Sequence, residues 1–227
     1  MKSHPLIMQP HSVRAMLAGI KTETRRIPTP RNCMFDGGAW PKEFLQHESW
    51  KTQLDWKNAT IDTGPSPAGN PGPYLHVRCP INMTTHRIYS RIQPGDTIYV
   101  KEAYKYFDSI PGGRFNGIRI AYKADGEDRL TGKWKSPMFM PRSAARIVRR
   151  VESVGFEFLK DIDGPSACRE GIRFDKVYDG PPITGNIWKP TIQAFAKLWD
   201  SINAKRGYPW ASNPPVMVIK LGKENVK

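Results

Sequence analysis

The chain has 227 residues, with 35 Lys and Arg against 21 Asp and Glu, for a formal charge of +14. That length suits one large domain, or a small domain with a long insertion. The charge makes a polyanion, nucleic acid first, the partner to consider, with a merely solubilising surface as the competing reading. An anionic membrane is disfavoured, because no long basic amphipathic helix is visible. The N-terminus has no sustained apolar run and reads as neither a signal peptide nor a membrane span. Cys33, Cys79 and Cys168 are odd in number and widely spaced. They are not a disulfide framework, and a reducing cytoplasm fits them.

In chain order, residues 4–8 read as a short strand. Ser12 is placed as the N-cap of a helix over 11–18, with Val13, Met16, Leu17 and Ile20 on its apolar face. Gly19 can end that helix in the left-handed region. The stretch Lys21-Thr22-Glu23-Thr24-Arg25-Arg26 then places hydroxyls, an amine, a carboxylate and two guanidiniums within six residues. Such a density of donors and nucleophiles suits a phosphate- or nucleotide-handling site, against the alternative of a solvated turn entering an edge strand.

Residues 28–85 read as a loop-rich insertion, high in Pro and Gly, with its loop signal at Ser66–Pro73. Two uses are open to Trp40, Phe44, Trp50 and Trp56: packing on the main domain, or stacking on bases. Packing is favoured, since aromatic side chains carry large buried area. Short strands are expected at 74–78 and 86–92, then a turn at Gln93-Pro94-Gly95-Asp96. Strands follow at 97–104, 117–122 and 144–154, the last strongly basic. A turn is placed at Pro111-Gly112-Gly113. A short helix between Leu159 and Ile172 carries Pro165 in its first turn and ends at Gly171. After a second loop over 173–187, centred on Gly180-Pro181-Pro182, comes the clearest helix, 191–203. Its buried face is expected from Ile192, Phe195, Trp199 and Ile202. Residues 216–221 form the closing strand. The expected class is α+β: a small β-barrel or curled sheet flanked by helices, with 97–104, 117–122, 144–154 and 216–221 in one barrel-like sheet.

Four pieces stand in a recognisable order: Ala18–Arg26, then Gln93–Asp96 with its strand to Glu102, then Leu159–Ile162 with Ala167–Ile172, and last the Trp199 helix with the Val216 strand. This set resembles the ASCH domain family, a PUA-like β-barrel group. The Pro-rich insertion and Met140-Pro141-Arg142 make the chain similar to prophage-associated members. The resemblance covers 4–27 and 86–221 in pieces, leaves out the insertion, and implies a single ASCH-like domain over 1–227. It also implies a cleft that binds RNA or a modified nucleoside, with no cofactor. Some members are N4-acetylcytidine amidohydrolases; others resemble ribonucleases or only bind RNA. Matched position by position, the resemblance implies catalytic roles for Lys21, Thr24 and Glu170.

The residues also support an argument of their own. A threonine hydroxyl attacks only when a base takes its proton, and a lysine is that base only when burial or neighbouring cations lower its pKa. Arg25 and Arg26 are such cations. In one regular strand Lys21 and Thr24 would point to opposite faces, so a turn or bulge between them is required. Other uses stay open: Lys21 paired with Glu23 or a phosphate, Thr24 as a half-buried strand residue, Glu170 as a charge at a helix end. Glu102 is expected to form a buried ion pair with Arg25 or Arg26. Thr22, Arg25, Arg26, Glu102, Arg142, Arg146, Arg149 and Arg150 are the candidate substrate- or RNA-binding residues, with the basic strand as a phosphate track. Cys33, His47, His76, Cys79 and His86 lack the tight pairing of a zinc site.

Overall fold

The computed structural model of the chain describes residues 1–35, 39–46, 49–65, 72–108, 118–126, 132–177 and 186–225. The loop centres at 66–71, 111–113 and 180–182, and His47, lie outside them. Strand β1 (Ser3–Ile7) leads into α1 (Pro10–Leu17) and β2 (Glu23–Arg26). Next come β3 (Cys33–Phe35), α2 (Lys42–Leu45), α3 (Trp50–Gln53), β4 (Asp55–Asp62), β5 (Tyr74–Cys79) and β6 (Thr84–Ser90). Strands β7 (Thr97–Lys101), β8 (Tyr104–Asp108), β9 (Ile118–Tyr122) and β10 (Val148–Phe158) follow. The chain ends with α4 (Gly164–Arg169), α5 (Phe174–Val177), α6 (Lys189–Asn203) and β11 (Pro215–Asn225).

This is an α+β protein whose strands form three sheets, of order β1-β7-β10-β11-β2, β3-β6-β5-β4 and β8-β9. There is no closed barrel among the described residues. The first sheet is mixed: β1 runs parallel to β7, and the remaining pairs are antiparallel. Its two edges, β1 and β2, nevertheless come together, because Arg26 Nη2 of β2 donates to the Ile7 carbonyl of β1 at 2.9 Å. A sheet twisted and coiled this far brings its edges round without joining them by a ladder. The expectation of one barrel-like sheet is corrected in a second respect. Residues 118–122 belong to the separate β8-β9 hairpin, and the strand from Thr97 stops at Lys101 before β8.

Strand β11 shows why the core has two sides. Met217, Ile219 and Leu221 join one cluster with Leu6, Val13, Met16, Ile98 and Val100. Val216 and Val218 join another with Ile27, Leu159, Phe195 and Trp199. Successive side chains of a strand point to opposite faces, so a strand covered on both faces reads as an unbroken apolar run. Within α6 the buried stripe is Thr191, Phe195, Trp199 and Asn203, at steps of four. Ile192 is only partly buried and Ile202 is exposed, which corrects the expected apolar face.

The segment 28–85 is far more regular than its composition suggests. It holds β3, β4 and β5, the first residues of β6, and two short helices. Phe35, Trp40, Phe44, Trp50, Leu75, Val77 and Ile88 are buried in the same cluster as Ile98 and Met217. The tryptophans are thus used for packing: Trp40 Nε1 donates to the Cys33 carbonyl and Trp56 Nε1 to the Trp50 carbonyl, each at 3.0 Å. A large aromatic is buried cheaply once its polar atom finds an acceptor. No helix among the described residues is long and apolar enough to cross a membrane.

Candidate functional site

Lys21 is presented by a helix end rather than by a strand. The N-cap of α1 is Gln9, with Pro10 at the first helical position, where its missing N–H costs nothing; Ser12 lies inside the helix. Gly19 takes φ +70°, and the Ile20 and Lys21 amides both turn back to the Ala15 carbonyl, at 2.9 and 3.0 Å. Strand β2 begins only at Glu23. The required break between Lys21 and Thr24 is therefore this helix-terminal turn.

On β2 the alternation sorts the charges. Thr24 and Arg26 lie opposite Ile219 and Met217, on the inner face of the curled sheet. Glu23 and Arg25 share the other face, towards α4. Glu170 is the C-cap that follows α4, whose start is capped by Asp163, Oδ1 accepting from the Ser166 amide at 2.7 Å. The next residue, Gly171, has φ +102°, and a β-carbon there would stand 3.0 Å from Ala15 Cβ. Glycine at that point lets α4 close on α1.

The Glu170 carboxylate plugs the free edge of β2. Its Oε1 accepts from the Arg25 backbone N–H at 2.5 Å and from Arg25 Nη1 at 3.3 Å. Its Oε2 pairs with Lys21 Nζ, which also donates to the Glu170 carbonyl at 2.9 Å. Arg25 continues the network to Glu157 (2.6 Å) and Glu23 (3.2 Å), and Arg169 Nε closes on Glu23. Lys21, Glu23, Thr24, Arg25 and Glu170 are all buried. Burial pushes the Lys21 amine down from its ordinary value; Glu170 opposes this and the charges of Arg26 and Arg25 add to it. Burial of Glu157 pushes its carboxyl up despite Arg25. Buried charges in such number are a poor way to gain stability, so their concentration makes the place a candidate site.

Lys21, Thr24, Arg25, Arg26 and Glu170 line one cleft of about 570 Å³, in the seam between β1 and β2. Its apolar wall is Phe195, Leu198, Trp199 and Ile202 of α6, with Met217 beneath. Sequence reasoning offered two of these residues, Arg25 and Arg26, as partners for Glu102. Glu102 does not meet Arg25 or Arg26; it pairs with Arg146 at 2.8 Å, which also binds Asp125 at 2.7 Å. The reason is position: Glu102 follows β7, beside the β8-β9 hairpin and away from β2.

The basic strand is also redistributed. Arg149 is buried, with Nη1 on Asn225 Oδ1 at 2.8 Å and Nη2 on the Met16 carbonyl at 3.3 Å, so it is a structural tie and not a phosphate contact. Arg146 stands 4.0 Å from the Tyr122 ring and Arg142 stands 5.6 Å from that of Tyr99. Thr22 and Arg150 line a separate hollow with Gly222 and Asn225. Thr22 there bridges the Arg169 carbonyl and the Leu221 amide.

Glu23, Glu157, Arg169, Arg31, Arg91, Asn203 and Arg206 belong to the network or the cleft and were not singled out as site residues. Glu23 carried a signal, as part of the Lys21–Arg26 stretch, and so did Arg169, as the neighbour of Glu170. Among the described residues no group of three or more His, Cys, Asp or Glu is placed to hold a metal. No family model, no curated protein and no solved structure matches the chain.

Proposed function

We propose that this chain is an ASCH-type, PUA-like domain that binds RNA or a modified nucleoside in the cleft between β1 and β2. The observation that carries the reading is the gathering of Lys21, Thr24 and Glu170, from a helix end, an edge strand and a second helix end, on one cleft. The PUA-like element is the curled five-stranded sheet, open at the seam where the cleft lies. A cleft of about 570 Å³ falls in the range of small-molecule sites and admits a nucleoside. Its mixture of an apolar wall and clustered polar groups suits a base stacked on one side and hydrogen-bonded on the other. The test is a titration with labelled single-stranded RNA across a salt series. Neutralising about four phosphates gives a log-log slope near −3 for a single strand. Absence of binding at low salt would reduce the positive charge to a solubility feature.

The depressed pKa of Lys21 favours a second reading, deacetylation of N4-acetylcytidine. A neutral Lys21 amine takes the Thr24 hydroxyl proton as the oxygen attacks the acetyl carbonyl. The tetrahedral intermediate expels the cytidine amine, which receives that proton, leaving an acetyl ester on Thr24. Water then attacks the ester, releasing acetate and restoring the hydroxyl. Glu170 holds the lysine ammonium between the two transfers, and Arg26 is the cation available to the oxyanion. Cytidine release, followed by chromatography, should be lost in Lys21→Ala and Thr24→Ala and partly kept in Thr24→Ser. Because nucleophile and base act as a unit, the Lys21/Thr24 double variant should add little further loss. Equal background hydrolysis by wild type and Lys21→Ala would remove this reading and leave the binding one.

A further inference from the structure

Lys21 and Arg25 each have a carboxylate. Arg26 has none among the described residues. Its one hydrogen bond described there is to the Ile7 carbonyl, and its Nε is buried without a partner. Burying a cationic group without compensation is costly unless something else supplies the missing charge. The surroundings do not: Arg31, Arg91, Lys101 and Arg206 also line this cleft, and Glu170, already shared by Lys21 and Arg25, is the only acidic residue that does among the described residues. Asn203, bonded to Arg206 Nη1 at 3.2 Å, and Asn32 add neutral polar groups at the same wall. The cleft is therefore a strongly electropositive hollow beside Thr24, lined by a guanidinium whose Nε has no acceptor among the described residues.

We propose that Arg26, with Arg206 at the rim, forms a phosphate subsite, so that the ligand is a phosphorylated nucleoside rather than a free one. The phosphate belongs either to a nucleoside monophosphate or to a phosphodiester of RNA; both present the same tetrahedral oxygens. Guanidinium groups suit it because their planar N–H forks match two phosphate oxygens at once. The anion subsite stands on the uncompensated charge alone. Only the nucleoside part of the ligand rests on the function proposed above.

Four ligands separate the possibilities: inorganic phosphate, cytidine, cytidine 5′-monophosphate and a short cytidine-containing RNA. Inorganic phosphate, against chloride at equal ionic strength, is followed by ³¹P line broadening; the others by calorimetry. Wild type should bind phosphate and should bind the monophosphate, or the RNA if the phosphodiester is the source, at least about tenfold more tightly than cytidine, the equivalent of about 1.4 kcal/mol. Arg206→Gln should shrink that gap to less than about threefold with cytidine affinity unchanged, and Arg26→Met should shrink it as far. Arg150→Gln, in the separate hollow, should leave the gap intact. Because Arg26 also ties β1 to β2, Arg206→Gln decides the matter if Arg26→Met does not fold. Phosphate binding without cytidine binding would keep the subsite and overturn the nucleoside reading. Cytidine binding with no phosphate effect would do the reverse. An equal loss in Arg150→Gln would show a diffuse field and overturn the subsite.

Discussion

Removing the Glu170 carboxylate is the most informative single perturbation, because three unlike groups depend on it. Lys21 Nζ, the Arg25 backbone N–H and Arg25 Nη1 all donate to it, and the Lys21 and Glu170 side chains retain 4% and 6% of their accessible surface. In Glu170→Ala the lysine ammonium stays buried with no carboxylate, and an edge-strand N–H loses its acceptor. Breaking a buried pair by removing one partner costs about 3–5 kcal/mol. For a chain of this size that lowers the melting temperature by about 6–20 °C. Glu170→Gln keeps an oxygen for the Arg25 N–H and should lose less. Replacing both partners, as in Lys21→Met with Glu170→Met, removes the stranded charge, so the double variant should be less destabilised than the sum of the singles by about 2 kcal/mol. The assay is urea unfolding followed by circular dichroism, on wild type, both singles and the double. A loss below about 1 kcal/mol in Glu170→Ala, or strict additivity in the cycle, would refute the view that this carboxylate holds the site together.

Other outcomes follow from neighbouring geometry. Gly171→Ala sets a β-carbon 3.0 Å from Ala15 and forces a left-handed alanine; it should cost at least about 1–2 kcal/mol by thermal unfolding, and an unchanged melting temperature would contradict the packing of α4 on α1. Lys21 has a folded pKa below 10.5, so between those two values the unfolded chain binds more protons and wild-type stability should rise with pH; Lys21→Met should lack that rise when the two are unfolded in parallel over a pH series. At Asp96, burial opposes ionisation, but the Lys2 amide, His4 and the Gln93 amide outweigh it and hold the carboxyl below 3.8. That contribution is complete above 3.8 and is lost as pH falls through the folded value. Asp96→Asn should therefore cost about 2 kcal/mol at neutral pH, and its difference from wild type should narrow as pH falls below 3.8, as read by acid titration of the unfolding midpoint. Burial pushes the Cys33 thiol up to about 12, so iodoacetamide at pH 8 should label Cys168 first and Cys33 only after denaturation, as read by peptide mass.

Local pattern determined much of this protein. The apolar run at Val216–Ile219 marked the closing strand, the helical spacing of Ile192, Phe195, Trp199 and Ile202 marked α6, and Gln93-Pro94-Gly95-Asp96 marked the turn before β7. Gly19 followed by Lys21 and Thr24 marked the break that puts the amine on a helix end and the hydroxyl on a strand. These are short-range properties, fixed by side-chain period, by glycine's access to positive φ and by proline's fixed φ. Tertiary structure decided the rest. The sheet stays open between β1 and β2 because closure depends on twist summed over five strands, which no single strand encodes. Residues 28–85 look like loop because Pro and Gly crowd the links between their strands and β4 is mostly polar, and their order appears only when Trp40, Phe44 and Trp50 reach the common core. The basic residues in and just before β10 were indistinguishable by composition; neighbours far along the chain, Asn225 for Arg149 and Glu102 for Arg146, set their roles. The charge of the cleft was the least legible feature of all. Arg26, Arg31, Arg91, Lys101 and Arg206 come from five separate places in the sequence, and only the curl of the sheet against α6 puts them around one hollow.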